Sequence, residues 1–292
     1  MRQSQRETLA ATLFLFPNIL GFLIFILGPA IFSIAMGFTD WTGLTSAEWI
    51  GINNYVQLLN DKVFLKSLRN TVVYTLEFTP LVILASLALA LFFNRKLWGI
   101  NIFRVLCFLP IVTDFISVAI AWSWIYHFRF GILNHILGFF GISRIAWLGD
   151  ADFAMIAIVL MSVWRWMGYY AVILLAALQS IPEDLREAAT IDGASKWQVF
   201  TRITIPLLSP ALFFVLIMSI TSSFAVFEQM YIMTNGGPKD STISITMYLY
   251  QQGFRFFQMG YASAIAWVLF FITFIVTAFN WWVRKHWVFE DS

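Results

Sequence analysis

The chain has 292 residues, of which 60% are hydrophobic and 12% charged, and its formal net charge is +2. A soluble domain carries about a quarter charged residues, so this composition excludes an ordinary water-exposed surface and makes a lipid bilayer the expected solvent. The net charge of only +2 argues against nucleic-acid binding, where a concentrated basic face is expected, so nucleic acid is not an expected partner.

In chain order, Arg2 and Arg6 precede an apolar stretch from about Leu9 to Phe38. A signal-peptide core has only about 7–15 apolar residues, so this stretch reads as an uncleaved first span. A bilayer core about 30 Å thick needs roughly 20 apolar residues in a helix. Six segments qualify, at about 9–37, 70–93, 102–126, 154–178, 208–232 and 260–282. They are expected to be helical because lipid offers no partner for backbone N–H and C=O groups. Pro17, Pro29, Pro80 and Pro110 are expected to kink these spans rather than break them.

Lys and Arg set the orientation. With the N-terminus inside, the inner segments hold Arg2, Arg6, Arg95, Lys96, Arg104, Arg186, Lys196, Arg202, Arg284 and Lys285. The outer ones hold Lys62, Lys66, Arg69, Arg129, Arg144, Lys239 and Arg255. The denser inner set favours N-in/C-in. Trp41, Trp122, Trp124, Trp147, Trp281 and Trp282 fall near span ends, as an aromatic belt would.

Chemistry is absent from the pattern. No GxxxxGK[ST], HExxH or GxSxG occurs. His127, His135 and His286 are scattered, and Cys107 sits alone in an apolar run as a packing residue. The chain is therefore not expected to be an enzyme or to hold a metal, and no catalytic residue is assigned.

The polar segment 180–206 between spans four and five carries the function. Ser180 is expected to cap a short helix, with Pro182 in its first turn and Glu183 and Asp184 at the positive end of its dipole. Gly193 is a left-handed stop, and Ser195 caps a second helix reaching about Ile203. Pro206 and Pro210 then start span five. Leu185, Ala188, Ala189 and Ile191 give the first helix a mildly apolar surface that a partner can approach closely. On capping physics alone, a docking surface for a partner and an elbow lying on lipid headgroups remain equally open.

Glu187-Ala188-Ala189, then Gly193, Ile203 and Pro206, resembles the EAA signature of ABC importer permeases: EAA, three residues, Gly, nine residues, Ile, one residue, Leu-Pro. Only Ile205 departs, standing for Leu. Trp49–Tyr55, Phe108–Val112, Ser180–Pro182, Ile203–Leu208 and Thr234–Pro238 resemble the branch containing the maltose and glycerol-3-phosphate permeases, so the likeness covers nearly the whole chain. The resemblance implies an all-α polytopic membrane protein of six transmembrane helices with the type I importer permease fold, a single permease domain over residues 1–292. It makes 180–206 the coupling segment, with Glu187, Ala188, Ala189, Asp192, Gly193, Ile203 and Pro206 as its key positions. Glu187 is expected to make a charged contact with an ATPase, or else to pair with Arg186 or Lys196.

Spans four and five flank this segment and are the expected substrate path. Trp164, Arg165, Trp166 and Tyr169 in span four, and Ser219, Ser222, Ser223, Glu228 and Gln229 in span five, offer ring faces and polar groups that suit a sugar. The maltose permease is similar in lining its pocket from these two helices, with asparagines where serines stand here. Charges inside spans are functional candidates, and Arg165 is expected to pair with Asp114, Glu77 or Glu228, or to meet an acidic substrate group. Asn235–Pro238 reads as an outer turn, and Tyr55–Arg69 as an amphipathic stretch on the outer surface. The implied partners are a second homologous permease, a dimeric ABC ATPase that binds ATP and Mg, an extracytoplasmic solute-binding protein, a sugar and the bilayer. No cofactor is expected in this chain. A secondary transporter is the competing class, but it leaves the EAA spacing unexplained.

Overall fold

The computed structural model describes residues 3–289, with side chains from Thr12 onward. Arg2, and the side chains of Arg6 and Leu9, lie outside the described residues.

Among the described residues the chain is built of helices, with one isolated antiparallel bridge between Thr39 and Trp49. In order they are α1 (Gln3–Phe22), α2 (Gly28–Met36), α3 (Asn53–Asn60), α4 (Lys62–Phe93), α5 (Ile100–Val112), α6 (Phe115–Ile125) and α7 (Ile132–Phe139). Then follow α8 (Ala151–Ser180), α9 (Glu183–Ile191), α10 (Lys196–Val199), α11 (Ile205–Phe224), α12 (Glu228–Met233), α13 (Ile245–Tyr250) and α14 (Met259–Arg284). Five helical runs are long and apolar enough to cross a bilayer: Thr12–Met36, Lys62–Phe93, Ala151–Ser180, Lys196–Phe224 and Met259–Arg284. The third expected span is the pair α5 and α6, bent by 104° at Thr113 and Asp114. Five of the expected spans are thus single apolar helices, and counting the bent pair as one span gives the sixth.

Proline placement explains two local distortions. Wide five-residue turns cover Leu23–Leu27 and Phe200–Thr204, each ending two residues before a proline, Pro29 and Pro206. In each, the N–H after the turn reaches back five residues, Gly28 to Leu23 and Ile205 to Phe200. A proline ring collides with the carbonyl four residues earlier in a regular helix, and widening the preceding turn gives it room without ending the helix. Pro206 therefore does not start span five: the helix runs unbroken from Lys196 to Phe224. At the other end this span stops at Phe224, so Glu228 and Gln229 sit on the separate helix α12 and not in span five as the hydropathy implied.

The chain forms two compact units. The first joins the residues up to Asp61 with Leu249–Val268. Inside it the buried Asn54 amide donates to the carbonyls of Gly37 (2.9 Å) and Thr39 (2.8 Å), and Tyr261 OH donates to Asp61 (2.6 Å). The stretch Tyr55–Arg69 is split between α3 and the first turns of α4.

The second unit is Lys62–Tyr248 with the residues from Leu269 on. Along α4, Ser67, Thr71, Tyr74, Phe78, Val82, Ser86 and Ala90 are buried at helical spacing and form one packed face. The Thr71 hydroxyl donates to the Ser67 carbonyl and the Thr75 hydroxyl to that of Thr71, while Thr79 Oγ1 is buried without a partner. α8 packs against α4 with Ala154, Ala157, Ile158 and Met161 fully buried. Small residues let membrane helices approach closely. Gly168 is the extreme case, because a Cβ there overlaps the Cys107 backbone carbonyl of α5. The turn at Asn235 and Gly236 (φ +49° and +84°) leads into a loop fixed to α4, where Asn70 donates to the carbonyls of Asp240 (2.8 Å) and Ile243 (3.0 Å).

Gly168→Val is expected to force α5 and α8 apart and to destabilise the protein by about 1–3 kcal/mol. Gly138→Ala, at a helical position with nothing within 4 Å of the added carbon, is expected to keep or raise stability, by up to about 1 kcal/mol. Thermal unfolding of the two variants in detergent checks the contrast.

Candidate functional site

Two arrangements stand out, one between α8 and α10 and one between the spanning helices of the second unit.

α9 follows α8 after the short link Ile181–Pro182, and Pro182 occupies its cap position. Ser180 does not cap it: its hydroxyl donates to the Ala177 carbonyl (2.8 Å) within α8. Glu183 and Asp184 lie in the first turn, where the helix dipole favours them. The helix ends in a complete left-handed stop. Gly193 has φ +83°, its N–H donates to the Thr190 carbonyl (3.1 Å), and the Ala194 N–H donates to that of Ala189 (2.9 Å). Ser195 then opens α10 with a capping box: Gln198 N–H donates to Ser195 Oγ (3.3 Å), and the Ser195 N–H donates to Gln198 Oε1 (2.7 Å). The second helix expected to reach Ile203 is instead the first part of the long run to Phe224.

No residue of α9 is buried, and Leu185 and Ile191 are exposed along with Trp197 beyond the turn. Two concave surfaces flank the helix. Glu183, Arg186, Glu187, Thr190 and Ile191 line one of about 430 Å³. Ala189, Asp192, Gly193, Gln198, Arg202 and Ile203 contribute to another of about 360 Å³. The structure therefore gathers Ala189, Asp192, Gly193 and Ile203, sets Glu187 on the first surface, and leaves Ala188 on neither. Pro206 lies in the helix beyond both. Among the described residues, Glu187 forms no ion pair with Arg186 or Lys196.

In the bundle, a cavity of about 270 Å³ is lined by Tyr74 and Phe78 of α4, Phe115 of α6, Trp166 of α8, and Ser222, Ser223, Glu228 and Gln229. Gln229 is buried, and its amide donates to Tyr74 OH (3.0 Å). Ser223 Oγ lies 2.8 Å from Thr75 Oγ1. Five expected path residues meet here: Trp166, Ser222, Ser223, Glu228 and Gln229. Trp164 instead packs edge-on against Trp122 (5.5 Å) and lines a separate, largely apolar cavity. Tyr169 lies against Trp166 and Phe108, and Ser219 is fully buried with its hydroxyl on the Leu216 carbonyl (2.9 Å). The contributions of Tyr74, Phe78 and Phe115 escaped the sequence reading. The signal was present for α4, whose polar and aromatic residues recur at helical spacing within an apolar span.

Arg165 has a structural position of its own. Its guanidinium donates to the carbonyls of Pro110 (2.7 Å), Thr113 (3.0 Å) and Ile111 (3.5 Å), the carbonyls freed where α5 ends, and it sits 4.5 Å over the Phe115 ring. Asp114 caps α6 by accepting the Ser117 N–H (3.1 Å). Asp114 and Glu228 lie within electrostatic range of Arg165, while Glu77 Oε2 is buried without a partner. Among the described residues, no cluster of His, Cys, Asp and Glu can hold a metal ion.

A polytopic helix bundle with a free-standing polar helix between two spans, and a small polar-aromatic cavity that the same two spans line on one side, is the form of a transport permease. The chain belongs to the binding-protein-dependent transport system inner membrane component family, whose model matches residues 59–287. The probable ABC transporter permease protein YesP of Bacillus subtilis is 37% identical over 296 residues, covering 100% of this chain and 95% of the relative. The arabinooligosaccharides transport system permease protein AraP of the same organism is 36% identical over 271 residues, covering 92% and 86%. A chain of a bacterial ABC transporter involved in the import of the acidic polysaccharide alginate superposes with a TM-score of 0.83 at 25% identity, over 97% of this chain and 96% of that one.

Arg165→Lys is expected to lower stability by about 1–3 kcal/mol, because one ammonium cannot serve several carbonyls and cover Phe115 together. Arg165→Met is expected to cost more. Thermal unfolding of the detergent-solubilised protein checks both, and unchanged midpoints would remove Arg165 as the tie across the broken span.

Proposed function

We infer that the chain is one of two permease subunits of an ATP-driven importer that moves a sugar or oligosaccharide delivered by an extracytoplasmic solute-binding protein. The chain itself is a transport component, not an enzyme, embedded in the cell membrane. The observation that carries the reading is α9: a capped, exposed helix with no buried residue, held between the ends of two spanning helices. In the orientation we infer, N-in/C-in, α9 faces the cytoplasm. There the dimeric ATPase binds ATP and Mg and hydrolyses the nucleotide, and this chain supplies no cofactor site.

The mechanism follows from continuity. A push on α9 reaches α8 through the short link Ile181–Pro182, and reaches span five through the Gly193 turn and α10, which is one helix with α11. Glu187, without an internal ion pair, is the residue we assign to a charged contact with the ATPase. Moving α8 against α11 changes the cavity that Trp166 and Ser222 line from these two helices. The rings of Trp166, Phe115 and Phe78 suit the C–H faces of a sugar, and Gln229, Ser222 and Glu228 suit its hydroxyls. Glu228 is the charged group in that lining.

Affinity purification of the chain is expected to bring down an ATPase. Glu187→Ala combined with Gly193→Asp, which places a side chain at φ +83° at a cost of about 1–2 kcal/mol, is expected to abolish sugar-stimulated ATPase activity and transport in proteoliposomes. Survival of both activities would show that α9 is not the dock.

Gln229→Ala is expected to raise the apparent KM for the delivered sugar about tenfold, the loss of one hydrogen bond. Basal ATPase activity should stay as in wild type. An unchanged KM would move the path elsewhere.

A further inference from the structure

The segment between α6 and α8 carries a feature that transport through the bundle does not use. It leaves one end of a spanning pair at Ile125 and returns to a spanning helix at Ala151, so it lies at a membrane–water boundary. Its helix α7 is too short to cross a bilayer. Ile132, Ile136 and Phe139 recur at helical spacing and are 58%, 45% and 76% exposed, while Asn134 on the other side is buried. An apolar face of this kind is stable where it dips into the headgroup and acyl boundary.

Sharing Phe139 with that face is a concave pocket of about 480 Å³ whose lining includes Arg129, His135, Ser143 and Arg144, and contains no acidic residue. Among the described residues, neither guanidinium has an internal hydrogen bond or ion pair. The pocket is preorganised by Asn134. Its amide donates to the carbonyls of Ile145 (2.8 Å) and Phe128 (3.2 Å), and its oxygen accepts from the Ile145 N–H and the Trp147 indole (both 3.1 Å). The two arginine-bearing segments of the loop, before and after α7, are thereby tied to that helix. On α6, just before this segment, Val118, Ala121, Trp122 and Ile125 with Trp164 line an apolar slot of about 380 Å³.

We propose that this segment is a binding site for an anionic phospholipid, with the headgroup phosphate held by Arg129 and Arg144 and an acyl chain lying along the α6 slot. Arginine suits phosphate because its planar fork donates two parallel hydrogen bonds. The slot's α6 lining ends at Ile125, four residues before Arg129, and only a lipid, unlike an acidic peptide or a free anion, brings a hydrocarbon tail to fill it. The apolar face of α7 then sits beside the same lipid in the bilayer boundary.

The test uses the whole transporter, purified with its partner subunits. After delipidation, native mass spectrometry is run with phosphatidylglycerol, phosphatidylcholine and inorganic phosphate as separate probes. Selective retention of phosphatidylglycerol is expected, with inorganic phosphate unable to compete. Arg129→Gln with Arg144→Gln is expected to reduce that retention about tenfold. Because that double variant can fail to assemble, wild-type transporter is also labelled with phosphatidylglycerol carrying a photoreactive acyl chain, and labelling is expected on the peptides containing Trp122 and Trp164. Equal retention of both lipids, competition by inorganic phosphate, or labelling only elsewhere would overturn the site. So would a double variant that keeps its lipid and instead loses capture of the solute-binding protein, which would make this surface a protein dock.

Discussion

A cation held against the open end of a helix organises the membrane core of this protein. α5 stops within the bundle, and the carbonyls of Pro110, Ile111 and Thr113 are left without helical partners. Lipid offers no substitute donor, and each unpaired group there costs several kcal/mol. Arg165, halfway along α8, supplies the donors. Placing an arginine at such a depth costs about 2.5–3.5 kcal/mol on insertion scales, so the two penalties offset one another when they are brought together. Neither the break nor the charge is tolerable alone.

That one contact has consequences for the rest of the second unit. It lets α6 leave at 104° to α5, capped by Asp114 and with Phe115 placed under the guanidinium and at the cavity wall. α12 packs on α6, which brings Glu228 and Gln229 to the same cavity from outside span five. Gly168, one turn beyond Arg165, allows α5 to approach α8 as closely as the hydrogen bonds require. The cavity is therefore formed around a broken span, with spans four and five supplying one side of it.

The coupling segment obeys a different logic, since water and a partner satisfy its backbone. Capping sets its shape: a left-handed glycine ends α9, a serine–glutamine box starts α10, and a wide turn lets Pro206 sit inside a continuous helix. Rigid joints at both ends are what a lever needs, and a soft loop in place of α10 would absorb the motion. The basic loop around α7 adds a third environment, the bilayer boundary, with its own amphipathic spacing.

The sequence by itself determined the solvent, five of the six expected spans, the glycine stop at Gly193, the Ser195 cap and the EAA spacing, because hydropathy and capping act within a few residues along the chain. It misjudged Ser180 as a cap, since a serine at a helix end can equally donate back into the helix it leaves. It also ran span five through Glu228 and read the third span as one helix. Hydropathy averages over a window and cannot see a backbone break whose carbonyls are satisfied by an arginine some fifty residues away. Only the tertiary structure decided the role of Arg165, the entry of Tyr74, Phe78 and Phe115 into the cavity, and the separation of Trp164 from Trp166. Each of these depends on which faces of distant helices meet, and that is fixed by packing between them rather than by the order of residues along any one.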